Sequence, residues 1–190
     1  MYVFHPKPLE NFSHWAFYEK AFTKIECMMI RALFEIGAAK EAQIGNESIN
    51  PNVRKTKIQW IQPDDSTRWI FDRLSNYVRD CNSHRYGFQL SGFYEPLQLT
   101  YYSCGDMYHW HQDSGGDKYS TRKLSVVIQL SDPEEYEGGA LEFLGFESEK
   151  VPTEQGTVII FPAFNPHRVT EVTKGERFSL VAWTTGEPFK

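Results

Sequence analysis

From Tyr18 the apolar positions Phe22, Ile25, Met29, Ala32, Leu33 and Ile36 step by threes and fours, which predicts a helix with one apolar face that Gly37 ends. A second stripe, Ile70, Leu74, Tyr77, Val78 and Cys81, follows Asp64 and Asp65, two residues able to cap a helix, and predicts a second amphipathic helix. Between them, Gly45 to Asn52 is rich in Asn, Gly, Ser and Pro and reads as loop, while Lys57 to Ile61 reads as a short strand before Pro63. After Gly92 the texture changes to short β-rich runs: Leu97 to Ser103, Met107 to Asp113, Leu124 to Leu130, Ala140 to Leu144, Thr157 to Phe161, His167 to Val172 and Arg177 to Thr184. Gly, Pro, Asp and Ser punctuate these runs, and no internal repeat is evident. A helical section followed by many short strands predicts an α+β arrangement, a sheet pair or barrel braced by N-terminal helices. The expected organisation is one domain over 1–190, with 1–95 a helical support region containing short strands and 96–185 the β-rich core.

Composition narrows this without changing it. A chain of 190 residues is long enough for one sizeable core and short for two catalytic domains. No apolar run approaches the roughly 18 residues of a membrane span, so a soluble chain with no membrane partner is expected. A formal charge of -5 argues against a broad nucleic-acid footprint, and no nucleic acid is expected among the partners. Cys27, Cys81 and Cys104 are widely spaced, and the start MYVFHPKPLE lacks the charged leader and apolar core of a secretory signal; a reducing cytoplasm is the expected location. Cys27 and Cys81 fall within helical stripes and read as small buried thiols, and Cys104 reads as a turn residue. Oligomeric state is left open.

The chemistry gathers in the β-rich half. His111 and Asp113 lie two apart on an extended run, which puts both side chains on one face because strand side chains alternate. His167, 54 positions beyond the aspartate, completes three ligands, and Arg177 follows ten further on. Two imidazoles and one carboxylate on one side of a metal leave other positions open, the arrangement of non-haem Fe(II) oxygenases. His109 shares the parity of His111 but reads as a neighbour of the ligand rather than a fourth one. Along Leu97 to Tyr102, alternation places Gln98, Thr100 and Tyr102 on a polar face and Leu97, Leu99 and Tyr101 on the other, with Tyr101 packing under the helices. Arg177 and Ser179 likewise share a face, and a guanidinium there offers two parallel donors to a carboxylate.

Several segments carry a family resemblance: LSDPEEYEGGAL from Leu130 to Leu141, HRV at His167, and GERFSLVAW from Gly175 to Trp183. They resemble the prolyl 4-hydroxylase-like branch of the 2-oxoglutarate/Fe(II) dioxygenases, specifically PKHD-type hydroxylases. The resemblance is strong over about 96–183 and loose before it. It implies a double-stranded β-helix, or jelly roll, with Fe(2+) held by His111, Asp113 and His167, and with 2-oxoglutarate and O2 as cosubstrates. Arg177 would grip the far carboxylate, with Tyr102 and Ser179 as further contacts, and ascorbate is a candidate reductant. The implied reaction is hydroxylation of prolyl residues in a protein or peptide, with oxidative decarboxylation of 2-oxoglutarate to succinate and CO2. Alternatives are the same chemistry on a free amino acid or other small metabolite, and a non-catalytic jelly-roll binding module. Asp113 argues against a halogenase, in which a small residue replaces the carboxylate.

Five finer expectations follow. If the turn Thr173 to Glu176 pairs Val172 with Arg177, His167 lies five residues along one ladder from the arginine, roughly 16 Å at about 3.3 Å per residue, a span that suits a bound diacid. Ile128 occupies the place where some relatives carry a tyrosine that also holds the far carboxylate. Arg54, Lys55 and Lys57, and again Arg122 and Lys123, read as solvated surface charge or as basic clusters that position an acidic or peptide substrate. The loop Ser114 to Thr121 reads as a lid or a plain surface loop, and Trp60 and Trp183 as substrate-stacking or core aromatics.

Overall fold

The structure, a computed structural model, describes residues 13–35, 39–41 and 53–188. Its thirteen strands are β1 (Ala16–Tyr18), β2 (Lys40–Glu41), β3 (Arg54–Lys55), β4 (Lys57–Ile61), β5 (Leu97–Tyr102), β6 (Met107–His111), β7 (Arg122–Gln129), β8 (Tyr136–Gly138), β9 (Leu141–Phe143), β10 (Val158–Pro162), β11 (His167–Val169), β12 (Val172–Gly175) and β13 (Arg177–Thr185); the helices are α1 (Lys24–Arg31) and α2 (Arg68–Cys81). A major sheet runs β1-β10-β7-β13-β5-β4-β2, a minor sheet β3-β6-β11-β9, and β12 pairs with β8. All strand pairings are antiparallel.

Strand parity decides which side of the major sheet each residue serves. Leu97, Leu99, Val126, Ile128, Leu180 and Ala182 join Cys27 and Ile30 of α1 and Ile70, Leu74, Val78 and Cys81 of α2 in one core, so both helices brace the outer face of this sheet. Each fully buried Val, Leu or Ile side chain among these contributes roughly 1.5–3 kcal/mol. The opposite parity faces the minor sheet: Val127, Ile159 and Phe161 pack with Leu141 and Phe143, and Tyr102 packs with Tyr136, Val169 and Val172. The result is the expected jelly roll. The first 95 residues do more than support it, because β1, β2 and β4 extend the major sheet and β3 edges the minor one.

The first helix departs from expectation. Thr23 caps it: its hydroxyl accepts from the Glu26 N–H at 3.2 Å, and the Glu26 carboxylate accepts from the Thr23 N–H at 2.8 Å. This capping box starts the helix at Lys24, and residues 16–18 before it are drawn into a strand against Val158–Ile160. The buried face is Cys27 and Ile30, whereas Ile25 and Met29 of the expected stripe are 71% and 55% exposed. Apolar residues surround this helix, so spacing alone could not choose the phase; the cap did. The expected stop at Gly37 and the loop Gly45 to Asn52 lie outside the described residues. The second helix matches expectation, with Asp64 accepting from the Ser66 and Thr67 N–H groups just before it. All three cysteines are free, Cys27 and Cys81 buried and Cys104 exposed. No helix among the described residues is long and apolar enough to cross a membrane.

Candidate active site

His111 ends β6 and His167 begins β11, and the ladder sets them directly opposite one another. Each ring is oriented the same way: Nδ1 of His111 meets the His109 carbonyl at 2.7 Å, and Nδ1 of His167 meets the Asn165 carbonyl at 2.9 Å. A carbonyl can only accept, so Nδ1 carries the proton and Nε2 presents its lone pair. Tyr108 stacks on His111 with ring centroids 3.5 Å apart, and Phe161 meets His167 edge-on at 4.7 Å. Asp113 lies just past β6, not within a strand as expected. Its N–H and that of Ser114 both donate to the Ala163 carbonyl at 2.9 Å, and its Oδ2 accepts from the Ser125 hydroxyl at 2.6 Å.

These three side chains converge. Nε2 of His111 is 3.7 Å from Asp113 Oδ1, Nε2 of His167 is 3.5 Å from Asp113 Oδ2, and the three potential ligand atoms all lie within 4.8 Å of one another. The separations are too long for good hydrogen bonds. They suit a shared ion about 2.0–2.2 Å from each atom after small side-chain rotations. Burial, followed by the neighbouring His167, holds His111 well below the ordinary imidazole range. Burial pushes the Asp113 carboxyl upward, but His167, His111 and the Ser125 hydrogen bond outweigh it and keep it below the usual carboxylate range. A neutral imidazole and an ionised carboxylate are the forms a divalent metal binds.

Arg177, the first residue of β13, is 1% exposed and pairs across the ladder with Tyr102. Its Nη2 donates to Gln129 Oε1 at 2.9 Å, while Nε and Nη1 are buried with no partner. The guanidinium lies 5.4 Å from the Tyr102 ring centroid, and burial raises the Tyr102 hydroxyl pKa, so that group stays a protonated donor. No carboxylate among the described residues pairs with Arg177. A buried guanidinium without an anion is costly, and its idle Nε–H and Nη1–H groups, on different edges of the guanidinium, leave it open to a carboxylate. One wall of the cavity is thus built for a metal and another for an anion.

Residues 97–185 match the family model described as the 2OG-Fe(II) oxygenase superfamily. Over this segment the chain is similar to 2OG-Fe(II) oxygenases. Among curated relatives, a PKHD-type hydroxylase of Hyphomonas neptunium is 43% identical over 95 residues, 47% of this chain and 42% of the relative. A PKHD-type hydroxylase of Thermosynechococcus vestitus is 39% identical over 95 residues, 46% of this chain and 42% of the relative. The chain therefore spans less than half the length of these curated relatives. A Pseudomonas putida prolyl-4-hydroxylase superposes with TM-score 0.71 at 22% identity, over 91% of this chain and 93% of that one. A Trichoplax adhaerens prolyl hydroxylase, solved with a hypoxia inducible factor peptide fragment, superposes with TM-score 0.76 at 17% identity, over 90% and 83%. Both superpositions establish the double-stranded β-helix fold.

In this core His111, Asp113, His167, Tyr102, Arg177 and Ser179 all line one cavity of about 870 Å³. The route from His167 to Arg177 differs from the expected one. Val172 pairs with Gly138, not Arg177, and β13 leaves to join β5 and β7, so the two residues sit on different walls. Gly175 permits that departure: at φ +73°, a Cβ there would lie 2.0 Å from the Glu135 carbonyl oxygen. Ile128 is not in the cavity either. It faces the helices, and the β7 side chains turned inward are Ser125, Val127 and Gln129.

Gln129 was missed, although its odd-numbered parity with Ser125 was the available signal. Gly139 has a role that its motif does not reveal: a Cβ there would lie 2.9 Å from Arg177 Cδ, so the glycine makes room for the arginine stem. Arg54 and Arg122 line the cavity and are each only 7% exposed, and Lys123 is buried too, so these basic residues are not solvated surface charge. Arg122 donates through Nε to Glu95 at 2.6 Å and lies 3.8 Å over the Trp183 ring and 4.6 Å over Tyr119. Trp60 and Trp183 lie 6.2 Å apart at the cavity wall, and Ser114, Gly115, Lys118 and Tyr119 bring the 114–121 loop to its mouth. His109 is exposed and contributes its carbonyl; Tyr101 packs against Phe34, beyond α1, and donates to Glu176 at 2.6 Å.

Proposed function

We propose that this chain acts as an Fe(II)/2-oxoglutarate-dependent dioxygenase that hydroxylates prolyl residues in a protein or peptide. The observation that carries the reading is Arg177, a buried guanidinium with two idle donors in the same cavity as the His111, Asp113 and His167 cluster. A metal alone would not require it, and a binding module without turnover would not require the three convergent ligands. Bound Fe(II), 2-oxoglutarate and O2 supply the oxidising power: the keto acid is converted to succinate and CO2, one oxygen atom going into succinate and the other into a substrate C–H bond.

The chain's own residues hold and orient. His111, Asp113 and His167 would hold the iron on one side, leaving the cavity side open. Ser125 fixes the carboxylate oxygen that faces His167, and the His109 and Asn165 carbonyls fix the ring tautomers. Arg177, steered by Gln129, would receive the far carboxylate of 2-oxoglutarate, with Tyr102 and Ser179 beside it. Val127, Leu141 and Val169 line the space and restrict water near the reacting atoms. No separate proton-transfer residue is needed. The peptide substrate is supported by the prolyl hydroxylase likenesses, and cytoplasmic residence by three cysteines of which none is paired.

The test is anaerobic incubation with Fe(II) and 2-oxoglutarate, then oxygen with a panel of proline-containing peptides, followed by mass spectrometry and succinate measurement. Gain of one oxygen atom on proline, matched by succinate, is the expected result. Succinate formation stimulated by small metabolites and by no peptide would replace the peptide reading, and failure to bind iron and 2-oxoglutarate together would overturn the oxygenase reading.

A further inference from the structure

We propose that Arg54 is a second anion receptor in this cavity, and that the primary substrate presents a carboxylate to it. The inference deepens the dioxygenase reading above and rests on it for the identity of the other ligands. Arg54 sits on β3 directly across the ladder from Tyr108, its guanidinium 4.4 Å from the ring centroid, and Tyr108 in turn stacks on His111. Guanidinium, phenol and imidazole therefore form a continuous stack that ends at the metal cluster.

Arg54 is 7% exposed, its Nε is buried without a partner, and no carboxylate among the described residues pairs with it. Its basic neighbours are served: Arg122 by Glu95, Lys55 by Asp106, Arg168 by Glu142. Arg177 is taken by the cosubstrate in the proposed function, so Arg54 is left as a second buried guanidinium that no carboxylate among the described residues neutralises. The face of Tyr108 stabilises a cation but accepts nothing from the in-plane Nε–H. A carboxylate would.

The charge of the cavity points the same way. Lys40, Arg54, Lys118, Arg122 and Arg177 line it, against the carboxylates of Glu95 and Asp113. This cationic surface belongs to a chain whose formal charge is -5. A divalent metal and a dicarboxylate cosubstrate cancel one another, so the cationic excess remains for the primary substrate. Such a lining draws anions inward. The carboxylate could belong to an acidic side chain beside the target residue of a peptide, or be the free carboxylate of a small acid.

Two matched probe pairs separate these sources. One is the blocked dipeptides N-acetyl-Glu-Pro-amide and N-acetyl-Gln-Pro-amide; the other is N-acetylproline and N-acetylprolinamide. Each is titrated calorimetrically into the full chain with Mn(II) and 2-oxoglutarate present, whether or not those two bind. The acid of at least one pair is expected to bind about tenfold or more tighter than its amide, ~1.4 kcal/mol. Arg54→Gln should abolish the discrimination and Arg54→Lys should restore part of it, with circular dichroism and melting temperature establishing that both variants fold. The pair that discriminates identifies the source. Equal affinity within both pairs, including no binding by any probe, overturns the proposal, as does discrimination that survives Arg54→Gln. Binding of Mn(II) and 2-oxoglutarate is read separately, and its failure counts against the dioxygenase reading rather than against Arg54.

Discussion

His111 and His167 face one another across the β6–β11 ladder with ring centroids 4.2 Å apart, each donating Nδ1–H to the carbonyl two residues before it. A single cross-strand register thus sets both imidazoles, and shifting it by one residue would turn one ring to the far face of the sheet.

Loss of His167 should therefore remove the metal site without removing the fold. His167→Ala is expected to abolish Mn(II) binding, followed by electron paramagnetic resonance, together with turnover. Turnover at the wild-type rate would make the ligand assignment wrong.

Ser125 acts through Asp113. Ser125→Ala leaves the carboxylate ligand without its 2.6 Å donor, and loss of such an outer partner typically weakens metal affinity by about 10–100-fold. A competition titration with a chelating dye measures this. Unchanged affinity would mean that the Ala163 carbonyl alone holds Asp113 in place.

At the other wall, Gly139→Ala introduces a Cβ 2.9 Å from both Arg177 Cδ and Val172 Cγ2, at a φ of +60° that disfavours any side chain. The arginine stem should move, and the KM for 2-oxoglutarate should rise about tenfold or more while metal affinity holds. Arg177→Gln should be more severe, since truncating one partner of a buried charged pair costs roughly 2–5 kcal/mol. Steady-state kinetics at varied 2-oxoglutarate would decide both, and an unaltered KM in Arg177→Gln would remove the arginine from the cosubstrate site.

The α1 cap has a pH signature. Arg73, at 2.7 Å, and the Thr23 N–H hold the Glu26 carboxyl down to about 2 from an ordinary 4.5. A lowered folded-state pKa means that the ionised group stabilises fully above about 4.5, and that this contribution disappears as pH falls through about 2. Glu26→Gln should flatten that part of the stability profile. Thr23→Ala, which also breaks the cap, should cost ~1 kcal/mol near neutral pH, a drop in Tm of about 2–4 °C. Thermal melts at stepped pH give both results.

Alternation along the β-rich half made much of the site legible from the sequence. The period of two separated Tyr102 from Tyr101 and set Arg177 beside Ser179, and the structure places them so, Tyr102 in the cavity and Tyr101 under Phe34. Parity is a local property of a strand, since successive side chains must point to opposite faces. The same rule, applied to β7, would have favoured Gln129 over Ile128. The helix stripe of α2 was legible for a similar reason, with Ile70, Leu74 and Val78 all buried. For α1 it was not, because apolar residues lie on more than one face and a capping box chose among them.

By itself, then, the sequence determined which residues share a face and which donor types are present: two imidazoles, a carboxylate and a guanidinium with inward parity. Only the tertiary structure decided which strand is neighbour to which. β12 turned to β8 rather than to β13, placing Arg177 across the cavity from His167 instead of along its ladder. It also buried Arg54 and Arg122, which charge alone marks as surface residues. The reason is physical: pairing partners and burial depend on long-range packing of both sheets and on close approaches such as Gly175 to Glu135, none of which a local pattern encodes.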